Sequence, residues 1–287
     1  MRLLVKKEEK MEVKNQTYDE ERALYGSRNI EVVSCRFDGP ADGESALKES
    51  KYVKVRDSYF NLRYPFWHVD YLDIKGCEMT ELCRAAIWYS NDVKVVDTAF
   101  HGIKALRECN NVYIDNSNIK SPEFGWSVNG LVIRNSSADS EYFMMRSTNI
   151  DFEKVKMSGK YSFQYVDGAK ITDCEFNTKD AFWHAKNVYV KDSIINGEYL
   201  AWYCENVTFE NCVISGTQPF CYCKGLKLIN CKMYDADLAF EKSEVDAEIT
   251  TSVISIKNPK SGTIKVKAVD EIIMDDVEAK GEIVLEK

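Results

Sequence analysis

The chain of 287 residues has few of the residues that interrupt a backbone, with 5 prolines, 14 glycines and no run rich in serine, glycine or proline. Nothing reads as a linker, so one domain is expected. Histidine is scarce at 3, each in a different repeat, which argues against a multi-histidine metal site. Basic residues number 38 against 46 acidic ones, and the net charge of −8 repels a polyanion, so nucleic acid is not an expected partner. Long apolar runs are missing too. The start, MRLLVKKEEKMEVKNQ, offers only Leu3, Leu4 and Val5 before it turns charged. That is short of a secretory signal, and nothing approaches the ~18 to 20 apolar residues of a membrane span. A cytoplasmic protein with no membrane contact is expected. Absent as well are the P-loop, GxGxxG, GxSxG, HExxH and the calcium-binding nonapeptide, so neither metal nor cofactor is expected.

What is present is a repeat. A nine-residue phrase recurs as NIEVVSCRF from Asn29, NVYIDNSNI from Asn111, NIDFEKVKM from Asn149, NVYVKDSII from Asn187, NVTFENCVI from Asn206 and GLKLINCKM from Gly225. Weaker copies begin at Tyr52, Tyr71, Asp92, Gly130, Gly168 and Glu244, and from Asp92 to Glu244 every copy starts nineteen residues after the last. The first position is usually Asn, Asp or Gly, which tolerate a left-handed backbone, and so marks a corner. The following residues alternate, Val188 and Val190 against Tyr189 and Lys191, as short strands with one buried face do. A second corner is expected near Gly102, Gly159, Gly197 and Gly216, and a further strand through Ala181-Phe182-Trp183-His184-Ala185 and its equivalents.

A nineteen-residue unit buries too little to offset the entropy of ordering it, so the units must stack. The expected fold is all-β: a single-stranded right-handed parallel β-helix of about twelve coils, roughly 50 to 60 Å long at ~4.8 Å per rung. Residues 1–28 read as an N-terminal cap with a short helix over YDEERALY (Tyr18 to Tyr25), and residues 29–250 as the β-helix. Residues 251–287, with TIKVKA, EIIMDD and EIVLEK, read as divergent capping strands.

Cys35, Cys77, Cys174, Cys212 and Cys231 share a column with Ser58, Ser117, Ser136 and Ser193, while Cys109, Cys204 and Cys223 share another with Ser50, Ser90 and Ser147. Exchange of Cys with Ser points to an inward ladder of small side chains, preferred over a redox or metal role. A column of large residues includes Trp67, Trp88, Arg107, Trp126, Met145, Gln164, Trp183, Trp202, Cys221 and Phe240. The next includes Glu49, His68, Tyr89, Glu108, Ser127, Arg146, Tyr165, His184, Tyr203, Tyr222 and Glu241. Strand parity puts the polar column in solvent and the tryptophans inside, unless a bulge reverses it. The tryptophans then fill the tube while Tyr and His snorkel outward; alternatively the stripe is a groove whose rings stack on sugars.

Charge is densest in the early coils. Glu44, Arg63 and Arg84 lie five residues before the polar column, with Asp42, Glu81, His101, Lys104 and Glu123 nearby. Glu44, His68, Arg84 and Glu108 are the candidate catalytic groups, and Arg63, His68, Arg84, Tyr89, His101, Arg107 and Glu108 the candidate ligand-binding residues. Compensating surface charge is the competing reading.

These phrases, together with FDGPADGESALKES, LRYPFWHV, CRAAIWYS, HGIKALREC and SPEFGW, resemble a bacterial family of uncharacterised proteins, domain-of-unknown-function family 3737. The resemblance runs from about Tyr18 onward and implies a pectate-lyase-like right-handed β-helix, with no established activity. Fold analogy with polysaccharide lyases and hydrolases favours carbohydrate binding or processing, with an oligosaccharide or other small molecule as ligand. The Asn-Thr-Asp, Asp-Asp, Gly-His-Gly and Arg-Ile-Lys elements of polygalacturonases have no counterpart. A non-enzymatic scaffold or protein-interaction solenoid is the alternative.

Overall fold

The computed structural model describes residues 10–286, so Leu3, Leu4 and Val5 of the expected cap lie outside the described residues, as does Lys287. Two compact units divide the chain, Met1–Ser121 and Pro122–Lys287, each a parallel β-solenoid in which a coil pairs with the next.

In the first unit six strands make the main ladder: Met11–Lys14, Arg28–Val33, Lys51–Arg56, Asp70–Lys75, Asn91–Val96 and Asn110–Asp115. Val53, Leu72, Val93 and Val112 succeed one another inward. A second ladder of two- and three-residue strands stacks Phe37, Phe60, Met79 and Phe100. The ladder already includes Met11–Lys14, which pairs with Arg28–Val33. The YDEERALY segment is not the expected helix. Its Arg22 and Leu24 amides, and that of Gly26 just after it, bond the Glu44, Ala46 and Lys48 carbonyls of the next coil. A coil-to-coil ladder outcompetes a helix too short to nucleate alone. The one helix among the described residues is the 3-10 turn Glu81–Cys83, and none is long and apolar enough to cross a membrane.

The second unit carries nine main-ladder strands, from Asn129–Arg134 to Glu282–Leu285. The three charged C-terminal segments continue the parallel pairing, at shorter spacing where Ala247 meets Ile264. Its core is aromatic: Phe163 stacks on Phe182 at 4.6 Å, with Phe176 and Phe209 also fully buried.

Both units share the same corners. The expected left-handed corner is observed, with Asn29, Asp92, Asn149 and Asn187 at φ 52 to 55. A further left-handed corner closes the strand, at Asp57, Asp97 and Asn116 in the first unit and Asp173, Asp192 and Asn211 in the second. The residue after it explains the Ser/Cys column. Its Oγ or Sγ bonds the carbonyl two residues back, as Ser58 does to Arg56 and Cys77 to Lys75, and it accepts the amide of the preceding coil, as Ser193 Oγ does from Cys174. A small side chain with both donor and acceptor meets that demand, and all ten cysteines are buried and unbridged.

Candidate functional site

The third side of each coil is not a uniform strand. Short strands Phe66–Trp67, Ile87–Trp88 and Leu106–Arg107 form it in the first unit. In the second, left-handed residues alternate along it, as at Asp180, Phe182 and His184 with φ of 55, 60 and 56. The polar column itself is left-handed, at Glu49, His68, Tyr89 and Glu108 in one unit and Arg146, Tyr165, His184 and Tyr203 in the other. That turn cancels strand parity, so the polar column and the Trp column both face outward. The tryptophans therefore do not fill the tube. Trp67, Trp88, Trp126, Trp183 and Trp202 are half-buried, and the preceding residues Phe66, Ile87 and Phe182 occupy the interior. Cys221 is buried within the Trp column, and a one-residue shift in the last coil puts Glu241 rather than Phe240 level with it, since Tyr222 N–H donates to the Glu241 carbonyl.

In the first unit the stacked coils use up the ring faces. Trp67 and Trp88 lie 5.0 Å apart with planes 6° from parallel, and each indole Nε1 donates to a backbone carbonyl, of Ala85 and Lys104 respectively. Lys48 sits over Trp67 and Arg107 over Trp88. His68 stacks on Tyr89 at 5.0 Å. The charges are paired locally: Arg63 with Asp42 at 3.2 Å and Glu44 at 3.6 Å, Arg107 with its neighbour Glu108 at 3.7 Å, and Glu81 with Lys120 at 3.2 Å. His101 belongs to the second ladder, where its Nε2 meets Asn118 Oδ1 at 3.0 Å. Glu123 falls in the other unit.

Of the sequence candidates, then, Glu44 joins Arg63, Glu108 joins Arg107, and His68 joins Tyr89. Arg84 opens onto a groove of about 220 Å3 walled by Tyr64, Trp67, Trp88 and Ile103, with Ala85 and Lys104 completing it. Sequence parity missed these indole walls. The available signal was the pairs of adjacent apolar or small residues, Ala86-Ile87, Ala105-Leu106 and Ala181-Phe182, which break strand alternation.

The second unit repeats the stripe. Tyr165, His184, Tyr203 and Tyr222 form a continuous stack at 5.0, 5.0 and 4.7 Å, and Trp183 stacks on Trp202 at 5.3 Å. No group of three or more potential metal ligands converges among the described residues.

Fold and stripe together define a parallel β-solenoid with ladders of stacked side chains along its coils. The chain belongs to the family described as Protein of unknown function (DUF3737), whose model matches residues 11–285. No curated protein matches it. Among solved structures it is similar to QnrB1, a plasmid-mediated fluoroquinolone resistance protein, at 15% identity over 79% of this chain and 90% of that one, with a TM-score of 0.19. It is also similar to HetL, a pentapeptide repeat protein involved in heterocyst differentiation regulation from the cyanobacterium Nostoc sp. Strain PCC 7120, at 11% identity over 80% and 86% of the two chains, with a TM-score of 0.21.

Proposed function

We propose that this protein is a non-enzymatic scaffold whose rigid aromatic stripe presents a surface to a protein partner. The observation that carries this reading is the closure of the ring faces. A sugar stacks on an open aromatic face, but Trp67, Trp88, Tyr89 and His184 each give a face to another side chain of the ladder. What the stripe offers is ring edges: Tyr89 is 44% exposed, Tyr165 48% and Tyr203 43%. Exposed Tyr, Trp and Arg on a preorganised frame are the residues that anchor protein interfaces. Glu44 and Glu108, ion-paired with adjacent arginines, add to this reading rather than to acid–base chemistry. Ten buried, unbridged thiols support a reducing compartment and hence the cytoplasm.

The test is a thermal-shift screen against neutral and acidic oligosaccharides, with His68→Ala and Arg84→Ala as controls. No stabilisation by any sugar is expected. Stabilisation by one sugar class that both variants abolish would establish carbohydrate binding and overturn the scaffold reading.

A further inference from the structure

We propose that the groove walled by Tyr64, Trp67, Trp88 and Ile103 in the first unit receives an acidic side chain from an extended segment of the protein partner, with Arg84 as its counter-ion. This rests on the scaffold reading and names the chemistry of the partner.

Arg84 is set apart by its lack of a partner. Every other described arginine of this unit has one: Arg22 with Glu21, Arg36 with Asp38, Arg56 with Asp73, Arg63 with Asp42, Arg107 with Glu108, while Arg28 bonds backbone carbonyls. The Arg84 side chain is exposed and makes no ion pair among the described residues, in a chain where carboxylates outnumber basic groups. Its backbone sits at φ 54, ψ −88, outside the left-handed well, where the 3-10 turn Glu81–Cys83 ends. Such strain persists where the surroundings hold it, often at binding sites. Here Gly102 makes room, since a Cβ there would lie 2.6 Å from the Arg84 carbonyl oxygen.

The groove itself sets the size and polarity of the occupant. Its 220 Å3 falls below the ~300–1,000 Å3 of small-molecule sites, which suits one side chain presented by a larger partner. Both indole N–H groups are already committed to carbonyls, and the other side-chain donors along the lining are the Arg84 guanidinium, the Tyr64 hydroxyl and the Lys104 ammonium, of which the guanidinium can grip a carboxylate with two N–H groups. Lys48, over the Trp67 ring, adds positive potential, and Ile103, 47% exposed, gives the groove an apolar wall. A carboxylate beside an apolar residue is the complement.

The experiment uses the full chain labelled with 5-fluorotryptophan, its fluorine resonances assigned by single Trp→Phe variants. The probe is the capped peptide acetyl-Gly-Ser-Glu-Phe-Glu-Ser-Gly-amide, with a glutamine version as control. The glutamate peptide should move the Trp67 and Trp88 resonances saturably and the glutamine peptide should not. Arg84→Gln should weaken binding by roughly ten-fold or more, with the Trp183 and Trp202 resonances unchanged as a check on folding. Equal response to both peptides, unchanged binding by Arg84→Gln, or no movement at Trp67 and Trp88 would overturn the proposal. Movement confined to Trp183 and Trp202 would overturn it while leaving the scaffold reading in place. A saturable response at Trp67 and Trp88 to oligogalacturonate but not to the peptide would overturn both.

Discussion

At the scale of single residues, the fold depends on a few positions where one coil touches the next through a side chain or the lack of one. Ser193 Oγ accepts the Cys174 amide at 3.0 Å and donates to the Lys191 carbonyl at 2.7 Å. Ser193→Ala leaves a buried amide without a partner and should cost about 1–3 kcal/mol in denaturant unfolding, whereas Ser193→Cys should retain most of the stability, because cysteines fill this role in neighbouring coils. Gly197 is the opposite case. At φ +149 its missing Cβ would stand 1.7 Å from the Thr178 carbonyl oxygen, so Gly197→Ala should destabilise by about 2–4 kcal/mol in the same measurement.

At the scale of the element, the outward turn of the Trp column has a direct test. Phe182 is fully buried and Trp183 only half so. Phe182→Ala should cost about 3–5 kcal/mol and Trp183→Ala distinctly less, an order that inward tryptophans would reverse. The main strand and its first corner were legible from the sequence because Asn, Gly and Asp announce a left-handed backbone. The corner at Asp57, Asp97 and Asp192 uses the same residue types within the strand phrase, where nothing in the pattern sets it apart from the strand. The third side was illegible for a physical reason: its left-handed positions include Tyr89, Phe163 and Phe182, residues with no such preference, held there by coil-to-coil hydrogen bonds and ring stacking. Of the groove's lining, only Arg84 was among the candidate catalytic and ligand-binding residues, since parity aimed the indole walls inward. Electrostatics belong to this scale as well. The Lys191 ammonium and the Tyr189 hydroxyl hold the Glu210 carboxyl below its ordinary value of 4.5. A lowered carboxylate stabilises the fold above that value and loses its effect as pH falls through the folded pKa. Glu210→Gln should therefore lower the unfolding midpoint at neutral pH, with the gap to wild type closing on acidification.

At the scale of the whole molecule, burial holds the thiols out of reach: it pushes Cys83, Cys109 and Cys221 each up to about 12. A thiol-disulfide colour reagent should find no fast-reacting cysteine in the native protein and all ten after denaturation. The repeat also predicts tolerance to loss of a complete coil. Deleting residues 168–186 joins Asp167 to Asn187 in unbroken register, because Asp167 already stands opposite Lys186. That variant should unfold cooperatively by circular dichroism, while deletion of residues 168–177 alone should not fold. The same register governs how the chain is made. Most long-range hydrogen bonds connect residues about one coil apart, as Lys186 N–H does to the Val166 carbonyl. A ribosome adding roughly 5–20 residues per second supplies a new coil every few seconds, far slower than the microseconds in which short strands pair. Each coil within a unit can thus settle on a finished template before its successor emerges, so the nascent protein grows as a crystal does, layer upon layer, with one open edge at a time.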